Sequence, residues 1–107
     1  MSDFTDYLKE LFAEFGTVSI RKMFGGEGVF YDGLMIGLVA DDTLYLKVDA
    51  ESVSAFEERG LAQFKYDKAG KMVGMSFYLA PEEALDDPSE MTPWAQNAYE
   101  AALRSKR

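Results

Sequence analysis

The run Arg21-Lys22-Met23-Phe24-Gly25-Gly26-Glu27-Gly28-Val29-Phe30-Tyr31-Asp32-Gly33-Leu34-Met35-Ile36-Gly37 constrains this chain more than any other segment. Asp32-Gly33 lies between two apolar runs, Gly28 to Tyr31 and Leu34 to Ile36. A two-residue hairpin needs positive φ at its centre, and Asp-Gly accepts it with little strain. The period of two continues through Leu38-Val39-Ala40, pauses at Asp41-Asp42, and resumes from Thr43 to Val48. The pattern from Val18 to Val48 therefore predicts three antiparallel strands in a meander. Gly25, Gly26 and Gly28 are expected to mark a bulge or bend within the first of them.

Helical periodicity frames this sheet. Phe4, Tyr7, Leu8, Leu11, Phe12 and Phe15 recur at steps of three and four, giving one apolar helix stripe. Ser2 or Asp3 is the expected cap, and Gly16 the expected left-handed stop. Asp49 reads as the cap of a second helix reaching Arg59, with Gly60 just past its end and Leu61 folding back on Phe56. Phe64-Lys65-Tyr66 and Met72 to Leu79 read as a second hairpin. Pro81 ends that region, and Pro88 leaves room for only a short helical turn after it. Thr92 and Pro93 are expected to open a last helix that carries Trp94 and an alanine face. The order α-β-β-β-α-β-β-α, with hairpin connections, predicts an α+β domain whose antiparallel sheet carries helices on one face. Residues 1–107 are expected to form a single domain.

Composition removes whole classes of chemistry. The chain has neither histidine nor cysteine. A conventional zinc site, a Ser-His-Asp triad, a Cys-His pair and a disulfide are all out of reach. The lack of cysteine points to a reducing cytoplasm, and no apolar run has the length of a membrane span. The formal net charge is −8, which opposes phosphate approach over the surface as a whole. Lys65, Lys68 and Lys71 around one turn, with Arg21 and Lys22 elsewhere, read as scattered solvated cations.

Candidate sites each carry a plainer reading. Gly25-Gly26-Glu27-Gly28 lacks the Gly-Lys-Ser/Thr ending of a phosphate loop and runs into a strand instead of a helix. Asp41-Asp42 and Asp86-Asp87 lack the alternating ligand spacing of a calcium loop, and Asp is common in turns. No metal or cofactor is expected. Glu82, Glu83, Asp86, Asp87 and Glu90 form the densest acidic patch, either a solvated face or a docking surface for a basic partner.

Alternation places Leu34, Ile36 and Leu38 on one face, and Met35, Gly37 and Val39 on the other. A second sheet face carrying Met35, Val39, Tyr45 and Tyr78 is more apolar than a wet face usually is. Either a helix covers it, or it is a surface for self-association or a partner. In the latter case Tyr45 and Tyr78 are the expected anchors, with Met35 and Val39 between them.

The stretch opening with Arg21, Met23-Phe24-Gly25-Gly26 and Gly28, followed by Asp32-Gly33, closely resembles the N-terminal domain of the TfoX (Sxy) family. The resemblance extends through Leu44 to Asp49, Phe64 to Tyr66, Met75 to Glu83 and the late Trp94 helix, so it covers in effect the whole chain. It implies a fold like that of secretion chaperones and a non-enzymatic role as a regulator of bacterial competence and transcription. The partner it implies is a transcription factor such as the cyclic-AMP receptor protein, with no direct nucleic-acid binding by this chain. Family regulators also carry a C-terminal helical domain, which this chain is expected to lack. Two other readings stand beside it. One is an enzymatic or small-molecule-binding domain using Arg21, Lys22 and the Gly25-Gly26 bend, with Tyr45 or Tyr78. The other is an acidic chaperone-like dimer.

Overall fold

The computed structural model describes residues 3–23 and 25–106. The elements run α1 (Asp3–Leu11), β1 (Ser19–Met23), β2 (Gly26–Tyr31), β3 (Leu34–Ala40), β4 (Thr43–Lys47), α2 (Val53–Glu57), β5 (Gln63–Lys68), β6 (Lys71–Leu79), α3 (Glu82–Asp86) and α4 (Pro88–Ser105). The strands form one six-stranded sheet in the order β1-β2-β3-β4-β6-β5, every pair antiparallel. The α+β architecture expected from the sequence is the one observed.

Two-residue turns set the meander. Asp32 and Gly33 hold φ of 53° and 77°, and Asp41 and Asp42 hold 50° and 54°. Positive φ at both central residues matches the twist of the flanking strands, so these turns fix register. Ala69 and Gly70 do the same between β5 and β6, at 52° and 86°.

The first strand expected from Val18 onward is in fact two. Gly25, at φ 79°, lies in a connection between β1 and β2, where a bulge had been expected. The irregularity lies one strand further in. Val29 pairs with Gly37 and Phe30 with Met35, which leaves Ile36 as an extra residue in β3. One inserted residue reverses the alternation beyond it. Val39 therefore joins the core, while Leu38 turns to the opposite face with Tyr45.

One core cluster draws on all four helices: Leu8 and Leu11 from α1, Phe56 from α2, Ala84 from α3, and Met91, Ala95 and Ala98 from α4. Val29, Ile36, Val39, Leu44 and Leu46 meet them from the sheet. The alanine face brings α4 close to β3 and β4. The expected glycine stop follows α2, with Gly60 at φ 70° and the Leu61 N–H bonded to the Phe56 carbonyl at 3.1 Å, although the helix itself ends at Glu57 and not at Arg59.

Three expectations for helix ends change. Gly16 is not left-handed; a Cβ there would fall 2.6 Å from the Tyr31 ring, so its lack of a side chain makes room for that ring. α2 begins at Val53, and Asp49 stands further back, accepting a bond from the Ser52 N–H while its own N–H donates to Ser52 Oγ. α4 starts at Pro88, not Pro93, because Asp87 accepts from the Ser89 N–H and Pro88 is already shaped for a first helical turn. Ser2 and Phe24, for which a cap and a motif role were expected, lie outside the described residues.

Candidate interaction surface

Strand register decides which side chains leave the core. Leu46 pairs with Tyr78 and faces the helices, so Lys47 with Phe77, and Tyr45 with Leu79, face the other way. Leu38 follows Tyr45, and Met35 follows Phe30. Arg21 lies opposite Gly28, where a Cβ would meet Met23 Sδ at 2.6 Å and the Phe30 ring at 2.8 Å. Among the described residues no helix contributes to this face. Leu38 and Phe77 are nevertheless only 7% and 5% exposed, and both stand outside the core cluster.

Cations cap the rings here. The Arg21 guanidinium sits 4.6 Å from the centre of the Phe30 ring, and Lys47 Nζ sits 5.3 Å from that of Phe77. Tyr45 and Phe64 meet edge to face at 5.0 Å. Such placements hold the rings and keep the charges near apolar surface.

The residues expected on this face divide. Met35 and Tyr45 are on it. Val39 is 2% exposed in the core, and Tyr78 packs on the helix side with its ring 6.0 Å from Phe56. Burial and then the neighbouring Glu57 carboxylate, which accepts from its hydroxyl at 3.4 Å, raise the Tyr78 pKa. Leu38, Phe30 and Phe77 belong to the face and were not singled out by alternation. Only the cross-strand pairing reveals them.

Of the motif residues, Arg21, Met23 and Gly28 share the open face, while Gly25, Asp32 and Gly33 serve turns. Gly26 brings β2 against β3, since a Cβ there would lie 2.1 Å from the Val39 carbonyl oxygen. The rival constellation of Arg21, Lys22, Tyr45 and Tyr78 does not converge. Arg21 and Tyr45 face away from the helices, whereas Lys22, paired with Glu27, and Tyr78 face toward them. Near the glycine turn lies an open hollow lined by Lys22, Met23, Gly25, Gly26 and Glu27. A second hollow, between α2 and α4, is lined by Ala55, Pro93, Trp94, Gln96, Asn97 and Glu100.

The acidic patch is tied into the helical layer. Glu83 pairs with Arg59, whose guanidinium lies 5.4 Å from the Trp94 ring. The Glu83 N–H and then Arg59 hold its carboxyl below the usual range. Tyr99 donates to Asp32 at 2.8 Å, which raises the phenol's pKa and fastens the β2–β3 turn to α4. Among the described residues no group of three or more Asp and Glu side chains is placed to hold a metal ion. Nor is any helix among them long and apolar enough to cross a membrane.

Fold and surface define a two-layer α+β protein with helices on one face of an antiparallel sheet and an apolar, cation-capped second face. The TfoX N-terminal domain family pattern matches residues 10–102, and the chain belongs to that family. It is 32% identical over 97 residues to the "DNA transformation protein TfoX1" of Aliivibrio fischeri. That match covers 91% of this chain and 44% of the relative, so the chain spans less than half of the relative's length.

Proposed function

We propose that this chain is a non-enzymatic regulatory module that works through protein contacts, in the control of competence for DNA transformation. The observation that carries this reading is the sheet face bearing Met35, Leu38 and Tyr45, which no described helix covers. Met35 and Tyr45 are only partly buried there, and apolar side chains left partly open to water on a sheet face are a common mark of a protein contact site. Family membership supports the regulatory setting, and a transcription factor such as the cyclic-AMP receptor protein is the partner proposed. The separation of Arg21 from Lys22 and of Tyr45 from Tyr78 weighs against a catalytic constellation at the glycine turn.

A photo-activated cross-linker placed at Met35, and in a second protein at Ala55 in the α2–α4 hollow, tests this in bacterial cells. Discrete protein adducts at Met35, a transcription factor among them, are expected, with none at Ala55. Adducts confined to Ala55, or none at either position, would overturn the proposal.

A further inference from the structure

The open face is charged opposite to the rest of the molecule. Of the strand cations, Arg21, Lys47, Lys68 and Lys71 alternate onto it, since Lys68 pairs with Lys71 two positions beyond the Tyr66–Val73 pair. The strands carry two carboxylates, Glu27 and Asp67, and both turn to the other side. Glu27 accepts from Thr5 of α1, and Asp67 pairs with Met72. The remaining acids of a chain with 19 Asp and Glu lie on helices, turns and connections. A protein of net charge −8 thus presents a strand surface on this face that is apolar and purely cationic.

We infer that this face binds an acidic amphipathic helix of a partner protein, apolar stripe inward and carboxylates at the rim. The inference rests on the reading of the face as the protein's interaction surface. Sheet backbone is already paired within the ladder, so the face offers side chains alone. A helix brings an apolar stripe to such a surface, whereas an extended segment gains most at a sheet edge. Met23, Met35 and Met75 supply flexible thioethers that adapt to a stripe of imperfect fit. Carboxylates flanking the stripe then meet Arg21 on the β1 edge, Lys47 on β4 and the Lys68–Lys71 tip of the β5–β6 hairpin. Complementary rim charge accelerates encounter and rejects partners of the wrong sign.

Two other occupants fit less well. A second copy docked face to face would set these cations against their own equivalents, because a two-fold interface repeats the same patch. Single-stranded nucleic acid needs ring faces to stack on. Here Arg21 covers Phe30, Phe77 is buried beneath Lys47 and Tyr45 meets Phe64 edge to face, which among the described residues leaves Tyr66 near the β5–β6 tip as the one exposed ring of this face, short of the run of rings that successive bases need.

The test uses three probes: a synthetic helix with a leucine stripe flanked by glutamates, the same helix with lysines for the glutamates, and an oligothymidylate. Fluorescence anisotropy gives the affinities, and amide shifts of labelled protein locate the contact. The glutamate helix should bind with salt-sensitive affinity about tenfold or more above the lysine helix. Its shifts should fall on β3, β4 and β6. Lys68→Glu with Lys71→Glu, both at an exposed hairpin tip, should weaken the glutamate helix and strengthen the lysine one. Equal affinity for the two helices, tighter binding of oligothymidylate, or shifts confined to the helical layer would each overturn the inference. Failure of both helices with Met35 cross-links intact removes the acidic-helix chemistry alone and leaves the interaction surface standing. Glutamate-helix binding on this face without cellular cross-links does the reverse.

Discussion

Arg104 grips Asp49 at two points, Nε to Oδ2 at 2.5 Å and Nη2 to Oδ1 at 3.0 Å. This fork ties the end of α4 to the connection that leads into α2. Both side chains are largely shielded, and Ser52 adds bonds from its N–H and hydroxyl to the same carboxylate. The Arg104 guanidinium is the chief cause that holds the Asp49 carboxyl well below the ordinary range, with Ser52 assisting against the opposing effect of burial. A carboxyl depressed in the folded state stabilises it above the unfolded pKa, and that contribution is lost as pH falls through the folded value. Asp49→Asn should therefore melt several degrees below the parent at pH 7, with the gap narrowing as pH falls below the ordinary carboxylate range toward the depressed folded value. A gap that is constant from pH 7 to pH 2 would show that the charge is not what the fork contributes.

Two glycines separate two kinds of requirement. Gly33 has a φ of 77° and open space where a Cβ would stand, so Gly33→Val should cost about 1–3 kcal/mol through backbone strain alone. Gly26 faces backbone: a Cβ there meets the Val39 carbonyl oxygen at 2.1 Å, which cannot rotate away. Gly26→Ala should be the more damaging change despite its smaller side chain, since it pries β2 from β3. Thermal melts of the two variants beside the parent decide the ranking. A Gly26→Ala midpoint at or above that of Gly33→Val contradicts the close approach.

The turns and helix stripes were legible because their chemistry is local. Asp32-Gly33 announces positive φ, and Leu8, Leu11 and Phe12 announce a buried helix face, whatever the rest of the chain does. The Gly25-Gly26 pair was ambiguous, since glycine serves a turn and a bulge equally, and the choice depends on whether Ser19–Met23 finds a partner. Ile36 was illegible. A one-residue insertion leaves no compositional trace, yet it sends Val39 inward and Leu38 outward. The candidate face inherited that error at Val39, and its charge became visible only when register assigned Arg21, Lys47, Lys68 and Lys71 to one side.

Duplex DNA should not bind this chain at physiological salt. The net charge is −8, and the cationic face is a broad sheet surface with no described helix to enter a groove. An anisotropy titration with random-sequence duplex should stay flat through the micromolar range. Submicromolar binding that weakens steeply with salt would refute this expectation.

Tyr45 and Tyr78 provide the sharpest comparison, because they lie on neighbouring strands and face opposite layers. Tyr78 packs on Phe56 and on the edge of the core, so Tyr78→Asp should cost about 2–4 kcal/mol by placing a carboxylate among apolar groups beside Glu57. Tyr45 touches Phe64 on the open face, and water reaches its carboxylate replacement, so Tyr45→Asp should cost about 1 kcal/mol or less. Binding should show the opposite order. Tyr45→Asp places a negative charge at the centre of the cation-rimmed face and should abolish cross-linking from Met35, whereas Tyr78→Asp, measured below its melting point, should retain it. Chemical denaturation and cross-linking of both variants complete the test. If Tyr45→Asp unfolds like a core variant, the face is covered; if it cross-links like the parent, the face is not the docking surface.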